Sequence, residues 1–213
     1  MRFEAEILTK NVVKRSHIPF TILEHLKTNG IDFLQDDKKP KDYCYAIKSI
    51  RKDRIINAVF SFYDKKKGLD ILRALLTESD ILQIINFTTL KEKQTTGTFK
   101  TLSPIVLYDT DKRAYVSDNN IEDFSRLAKI NITKLLSIIA GIDIKDSDLH
   151  IELVALERIL KTRVYVPKAK DTITLYGLKG IIDIQAENYI LNIIAKTGIG
   201  RRRSLGYGLI EPL

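Results

Sequence analysis

Apolar and polar positions alternate from the first residues: Phe3, Ala5 and Ile7 are interleaved with Arg2, Glu4 and Glu6, the period-two pattern of a strand with one face turned to a core. Pro19 then opens a helical stretch in which Phe20, Leu23 and Leu26 recur at helical spacing, stopped by Asn29-Gly30. The polar run DDKKPKD follows, and β-branched and aromatic runs at 43–51 and 55–63, separated by Lys52, Asp53 and Arg54, predict a hairpin. Residues 67–78 have helical periodicity and 81–90 close the set as a strand. Strand, helix, strand, strand, helix, strand is the split βαβ arrangement of a ferredoxin-like domain.

The same order recurs. After KEKQTTGTF, which has the composition of a linker, LSPIVLYD is strand-like and IEDFSRLAKINITKLLSIIA is a long amphipathic helix. Two long strands are expected near 150–166 and 172–184. In the second of them Ile173 and Leu175 are odd-numbered whereas Ile182 and Ile184 are even, which places a glycine bulge between Gly177 and Gly180. Residues 186–197 predict a last helix and GYGLIEPL a last strand. The fold class expected is therefore α+β, two tandem ferredoxin-like (βαββαβ) domains at 1–92 and 99–213, related in topology and not in sequence.

Thirty-five Lys and Arg against 27 Asp and Glu leave a net charge of +8, which favours a polyanionic partner without specifying one. A single cysteine, Cys44, excludes an internal disulfide and a cysteine-based zinc site, and a buried packing role in a reducing compartment is the simplest reading. The N-terminal residues lack a signal-peptide pattern and no apolar run is long enough to span a bilayer, so a cytoplasmic protein with no membrane partner is expected.

Three consecutive arginines stand in GIGRRRSLGYG. Gly198, Gly200, Gly206 and Gly208 flank Arg201, Arg202, Arg203 and Ser204. Glycines let backbone N–H groups approach a phosphate and arginines add bidentate contacts, a combination suited to a phosphodiester chain. A P-loop and a dinucleotide fingerprint are both excluded, the first for want of Gly-Lys-Ser/Thr, the second because Arg203 stands where a third glycine is needed. A plain basic turn between helix and strand, with glycines serving only its dihedrals, is the alternative.

This loop, together with TLSPIVLYDTDKRAYVSDNNIEDFSRLAKINITKL and the whole closing segment from Thr172 to Ile210, resembles the CRISPR repeat-processing endoribonucleases of the repeat-associated RNA-binding superfamily. The resemblance covers roughly residues 100–213 in motif and the N-terminal half in element order alone. It implies a metal-independent endoribonuclease that cuts CRISPR repeat RNA, the precursor of guide RNA, by attack of a ribose 2′-OH, leaving a 2′,3′-cyclic phosphate and needing no cofactor. The alternatives are a silent RNA-binding relative, a subunit of a CRISPR effector complex, or an unrelated aromatic-sheet RNA binder; a homodimer also stays open.

Such chemistry needs a base, an acid and cations around the phosphate. Of three histidines, His150 begins a strand and reads as a sheet residue. His25, projected off the apolar stripe of the first helix, is expected to be exposed and, since some relatives carry a catalytic histidine on that helix, is the first catalytic candidate. His17, beside Lys14 and Arg15 in the preceding loop, is the second. Many relatives place their histidine in the loop after the first helix; here that loop holds Lys38, Lys39 and Lys41 instead. Lys39 and the hydroxyl of Tyr43 complete the catalytic candidates, and Lys14, Arg15, Lys38 and Lys41 join the C-terminal loop as RNA-binding candidates.

Overall fold

The computed structural model describes residues 1–31, 42–52, 54–92, 95–166 and 171–213. The N-terminal half comprises β1 (Arg2–Thr9), α1 (Ile18–Thr28), β2 (Tyr43–Arg51), β3 (Ile55–Phe62), α2 (Lys65–Leu76) and β4 (Leu82–Thr89). These strands form an antiparallel sheet in the order β2-β3-β1-β4. The β1 alternation is borne out: Phe3, Ala5 and Ile7 are buried against α1 and α2, and Phe3 stacks on Phe60 and Phe62. Pro19 sits in the first turn of α1, where its missing N–H costs no hydrogen bond. The Asp64 carboxylate caps α2 by accepting from the Lys66 and Lys67 amides.

The second half contains β5 (Thr98–Thr101), the short pair β6 (Tyr108–Asp109) and β7 (Ala114–Tyr115), α3 (Asp123–Ala140), β8 (His150–Val166), β9 (Asp171–Gln185), α4 (Asn188–Thr197) and β10 (Ile210–Pro212). Its main sheet runs β10-β5-β9-β8, the same strand order as the first sheet once each strand is numbered within its own repeat. The architecture is that of tandem ferredoxin-like folds.

Two local expectations are corrected. The first strand of the second sheet is Thr98–Thr101, which begins in the last two residues of the stretch that composition suggested as linker, while LSPIVLYD crosses the sheet through an isolated bridge of Ile105 to Leu178 and then enters the small β6-β7 hairpin. The register slip of β9 is real in its burial, but the extra residues lie on β8, between Leu153 and Ala155 and between Leu156 and Arg158. Gly180 answers that bulge from across the ladder. A Cβ there would lie 2.2 Å from the Ala155 carbonyl oxygen, so the bulged strand closes on a position only glycine can occupy.

The two halves are tied in two places. Arg2 donates to the Ile210 carbonyl at 2.6 Å, and Glu92 accepts from both the N-terminal amine and Lys196. Cys44 is buried with Ala46, Val59 and Leu209, and its thiol donates to the Lys196 carbonyl; burial pushes its pKa up to about 12. Elsewhere, Phe20 and Leu23 of α1 pack against Val106, Val164, Leu175, Leu205 and Tyr207. That second contact builds the site.

Candidate nucleic-acid interface

Residues 198–208 connect α4 to β10 and run along the seam where α1 meets the β8-β9 hairpin. The expectation that their glycine amides point outward to phosphates is corrected. Gly198 N–H bonds the Ile194 carbonyl, Gly200 N–H bonds Asn131 Oδ1 at 2.8 Å, Gly206 N–H bonds the Arg203 carbonyl and Gly208 N–H bonds the Pro104 carbonyl. All four amides are consumed inside the protein, so the glycines serve the loop's path. Gly208 has φ +77, and a Cβ there would sit 2.0 Å from the Ile199 carbonyl oxygen.

The three arginines divide. Arg201 and Arg202 are exposed, whereas Arg203 is 6% exposed and donates to the Thr197 carbonyl at 3.0 Å. Burial drives the Arg203 pKa down to about 10, opposed by the nearby Cys44, Asp42 and Tyr43. Arg203 therefore braces the loop against β2 and is removed from the set of phosphate contacts. Arg202, between the exposed Arg201 and the buried Arg203, takes φ +62. Ser204 is half-buried in the short 3₁₀ turn that follows.

Across the seam, His17 ends the loop before α1, half-exposed, with Lys14 and Arg15 exposed beside it. Its ring stacks on Tyr165 of β8 at 4.5 Å and 17°, and its Nδ1 lies 3.0 Å from Ser16 Oγ. Tyr165 N–H also bonds the Ser16 carbonyl, and Phe20 meets the Tyr165 ring edge-on. His17 is thus held by the other domain. Arg15 is close enough to Tyr207 to oppose the rise that burial imposes on that phenol's pKa. Lys14, Arg15 and His17 consequently share the seam with the C-terminal loop.

His25 is not there, and its expected exposure is corrected. It is fully buried between α1 and α2, its Nε2 bonding the Ala74 carbonyl and its Nδ1 the Ser79 hydroxyl, both at 2.8 Å. A carbonyl can only accept, so Nε2 carries a proton directed at Ala74, while Nδ1 meets the Ser79 hydroxyl. Burial lowers its pKa, an effect the Ala74 carbonyl only partly opposes. Tyr43 is likewise corrected as an accessible hydroxyl: it is 1% exposed, stacks on Phe62, and burial raises its pKa. Lys38, Lys39 and Lys41 lie outside the described residues.

Sequence reasoning missed two residues of the seam. Asn131 was visible only as part of a motif on α3, yet its side chain fixes Gly200; an asparagine inside an apolar helix was the available signal. Tyr165 reads as an ordinary strand aromatic, and nothing in its local pattern announces His17.

The fold and seam define a class: a tandem ferredoxin-like protein presenting basic side chains where its two halves meet. The model for "CRISPR associated protein Cas6, C-terminal" matches residues 88–212, more than half of the chain, and the protein belongs to the Cas6 family. No curated protein sequence matches it. Among solved structures it is similar to a Cas6-related protein from Pyrococcus furiosus (20% identity, TM-score 0.74, 100% of this chain and 98% of that one). It is also similar to a protein described as a RAMP protein binding different RNA substrates (18%, 0.73, 100% and 99%) and to a Cas6 product complex (14%, 0.67, 100% and 98%). Identities this low establish the shared fold.

Proposed function

We propose that this protein is a metal-independent endoribonuclease that binds CRISPR repeat RNA across the seam and cuts it with His17 as the proton-transfer group. One observation carries the reading: His17 is a half-exposed histidine held on Tyr165, in the same seam as Lys14, Arg15 and the arginine loop. The ribose 2′-OH upstream of the scissile phosphate loses its proton as its oxygen attacks phosphorus. The 5′ oxygen leaves and takes a proton, giving a 2′,3′-cyclic phosphate and a 5′-OH. Ser16 bonds Nδ1, which leaves Nε2 to give or take the proton at the RNA. Arg201 and Arg202 hold phosphates and the pentacoordinate centre's charge. The product complex of a structural neighbour supports an RNA-processing reading over a purely structural one.

The second reading is an RNA-binding relative that does not cut. It is favoured by the burial of His25, which leaves His17 as the one histidine at the seam among the described residues. Incubation of a CRISPR repeat RNA with excess protein in EDTA tests both. The expected products carry a 2′,3′-cyclic phosphate, and a 2′-deoxy residue before the cut abolishes cleavage while binding persists. A 3′-hydroxyl product, or strict magnesium dependence, overturns the mechanism, and tight binding without cleavage establishes the second reading.

A further inference from the structure

Three tyrosines form a row on the second half, the middle one, Tyr115, partly buried against the seam cluster that also receives Phe20 and Leu23. Tyr108 and Tyr115 are paired across the β6-β7 hairpin, edge to face at 64° with ring centroids 4.9 Å apart, and Tyr115 lies 6.5 Å from Tyr176 of β9, tilted by 37°. A cation stands at each end: the Arg201 guanidinium is 5.4 Å from the Tyr108 ring centre and the Lys161 ammonium 5.8 Å from that of Tyr176. All three rings are half-exposed and both cations are exposed. Tyr176 follows the fully buried Leu175, so it occupies the face of the hairpin opposite the one that packs on α1.

The row is firmly mounted. Asp109, in the β6-β7 hairpin, is 2% exposed, accepts from the Asp111 and Lys112 amides and pairs with Arg126 of α3 at 2.5 Å. Lys112 pairs with Asp123 of α3 at 2.6 Å. Arg201 N–H bonds the Val106 carbonyl two residues before Tyr108, which sets the arginine over that ring. Half-exposed aromatic rings held rigid at the surface provide π-faces for bases, and flanking cations lie where the linking phosphates run.

We propose that the Tyr108–Tyr115–Tyr176 row, with Arg201 and Lys161, is a second RNA site: a stacking platform for a few unpaired nucleotides. It rests on the RNA-processing reading only for the identity of the RNA, since the stacking chemistry itself tolerates any sequence. The row meets the seam through Arg201, whose loop continues to Leu205 packed on Phe20 and Leu23 of α1, so the platform takes single-stranded RNA that continues from the cut repeat.

The probe is a short oligoadenylate RNA carrying 2-aminopurine, beside the same oligomer with abasic linkages. Binding of the wild-type protein should change 2-aminopurine fluorescence, as stacking does. Tyr176→Leu should weaken oligoadenylate binding by roughly 5- to 100-fold, the scale of one lost base–aromatic stack, and Tyr176→Phe by about twofold or less. The abasic oligomer should bind both proteins alike. The fluorescence measurement on wild-type protein needs no variant and stands even if Tyr176→Leu unfolds. No fluorescence change, or equal oligoadenylate affinity for wild type and a folded Tyr176→Leu protein, overturns the platform. Tyrosine-dependent stacking in a protein that neither prefers nor cuts repeat RNA would establish the platform and overturn the proposed function. Repeat cleavage with Tyr176→Leu indifferent to unpaired flanks would do the reverse.

Discussion

Two histidines eight residues apart have opposite environments, and single substitutions should separate them. His17→Ala is expected to slow single-turnover cleavage of repeat RNA by roughly 100-fold, the scale of a lost general acid or base, with little change in affinity because a neutral imidazole neutralises no phosphate. His25→Ala is expected to leave chemistry intact in whatever fraction stays folded and to cost about 2–3 kcal/mol of stability, read from the urea midpoint, because it opens a buried gap and removes the imidazole's bonds to Ser79 and the Ala74 carbonyl. His25 also makes the fold acid-sensitive. Its folded pKa lies below its unfolded value, so the unfolded chain binds more protons on acidification. The contribution is whole above about pH 6.5 and is lost as pH falls through the folded pKa. The fall in unfolding free energy between pH 7 and pH 5 should be smaller in His25→Gln than in wild type.

At the scale of elements, the C-terminal loop divides its labour in a way that predicts unequal arginines. Arg201→Ala and Arg202→Ala should each weaken RNA binding and flatten the slope of log affinity against log salt by about 0.7. Arg203→Ala should instead lower the melting temperature and leave the slope nearly unchanged, because its guanidinium is engaged with the Thr197 carbonyl. Glycine sites divide similarly. Gly208→Ala forces a Cβ into the Ile199 carbonyl at a positive φ and should cost more than about 2 kcal/mol, whereas Gly30→Ala, with φ +81 but nothing within 4 Å, should cost about 1 kcal/mol, both measured by denaturant unfolding.

For the whole molecule, the two halves are also joined by Arg2, Glu92, Lys196 and the Cys44 pocket, which lies behind the C-terminal loop against Leu209. A thiol that is fully buried with its pKa near 12 has almost no thiolate at neutral pH and no access for a reagent. Cys44 should therefore resist a disulfide exchange reagent in the native protein and react only as the halves part. Its labelling rate in urea should track loss of tertiary signal; fast labelling in buffer would show that the halves separate readily.

The sequence by itself determined the order of elements, because each strand and helix buries a face whose period is written locally: β1, α1, the β2-β3 pair, α3 and the long β8-β9 hairpin stand where their patterns put them. It determined too that one loop would concentrate arginine and glycine, and that Cys44 would be packing. What it left to the tertiary structure were questions of direction and company. His25 projected away from the apolar stripe of its helix, but α2 covers that side, and Ala74 of α2 and Ser79 just beyond it each hydrogen-bond the ring, which no helical wheel contains. Four glycines suited to cradling phosphate turned out to spend their amides on Asn131 and three carbonyls. Which two of three consecutive arginines face outward depends on where the loop packs: Arg203 is drawn in to the Thr197 carbonyl and Arg201 and Arg202 are left exposed. Partners such as Tyr165 for His17 lie more than a hundred residues away in the chain, and only closure of the two sheets against each other brings them together.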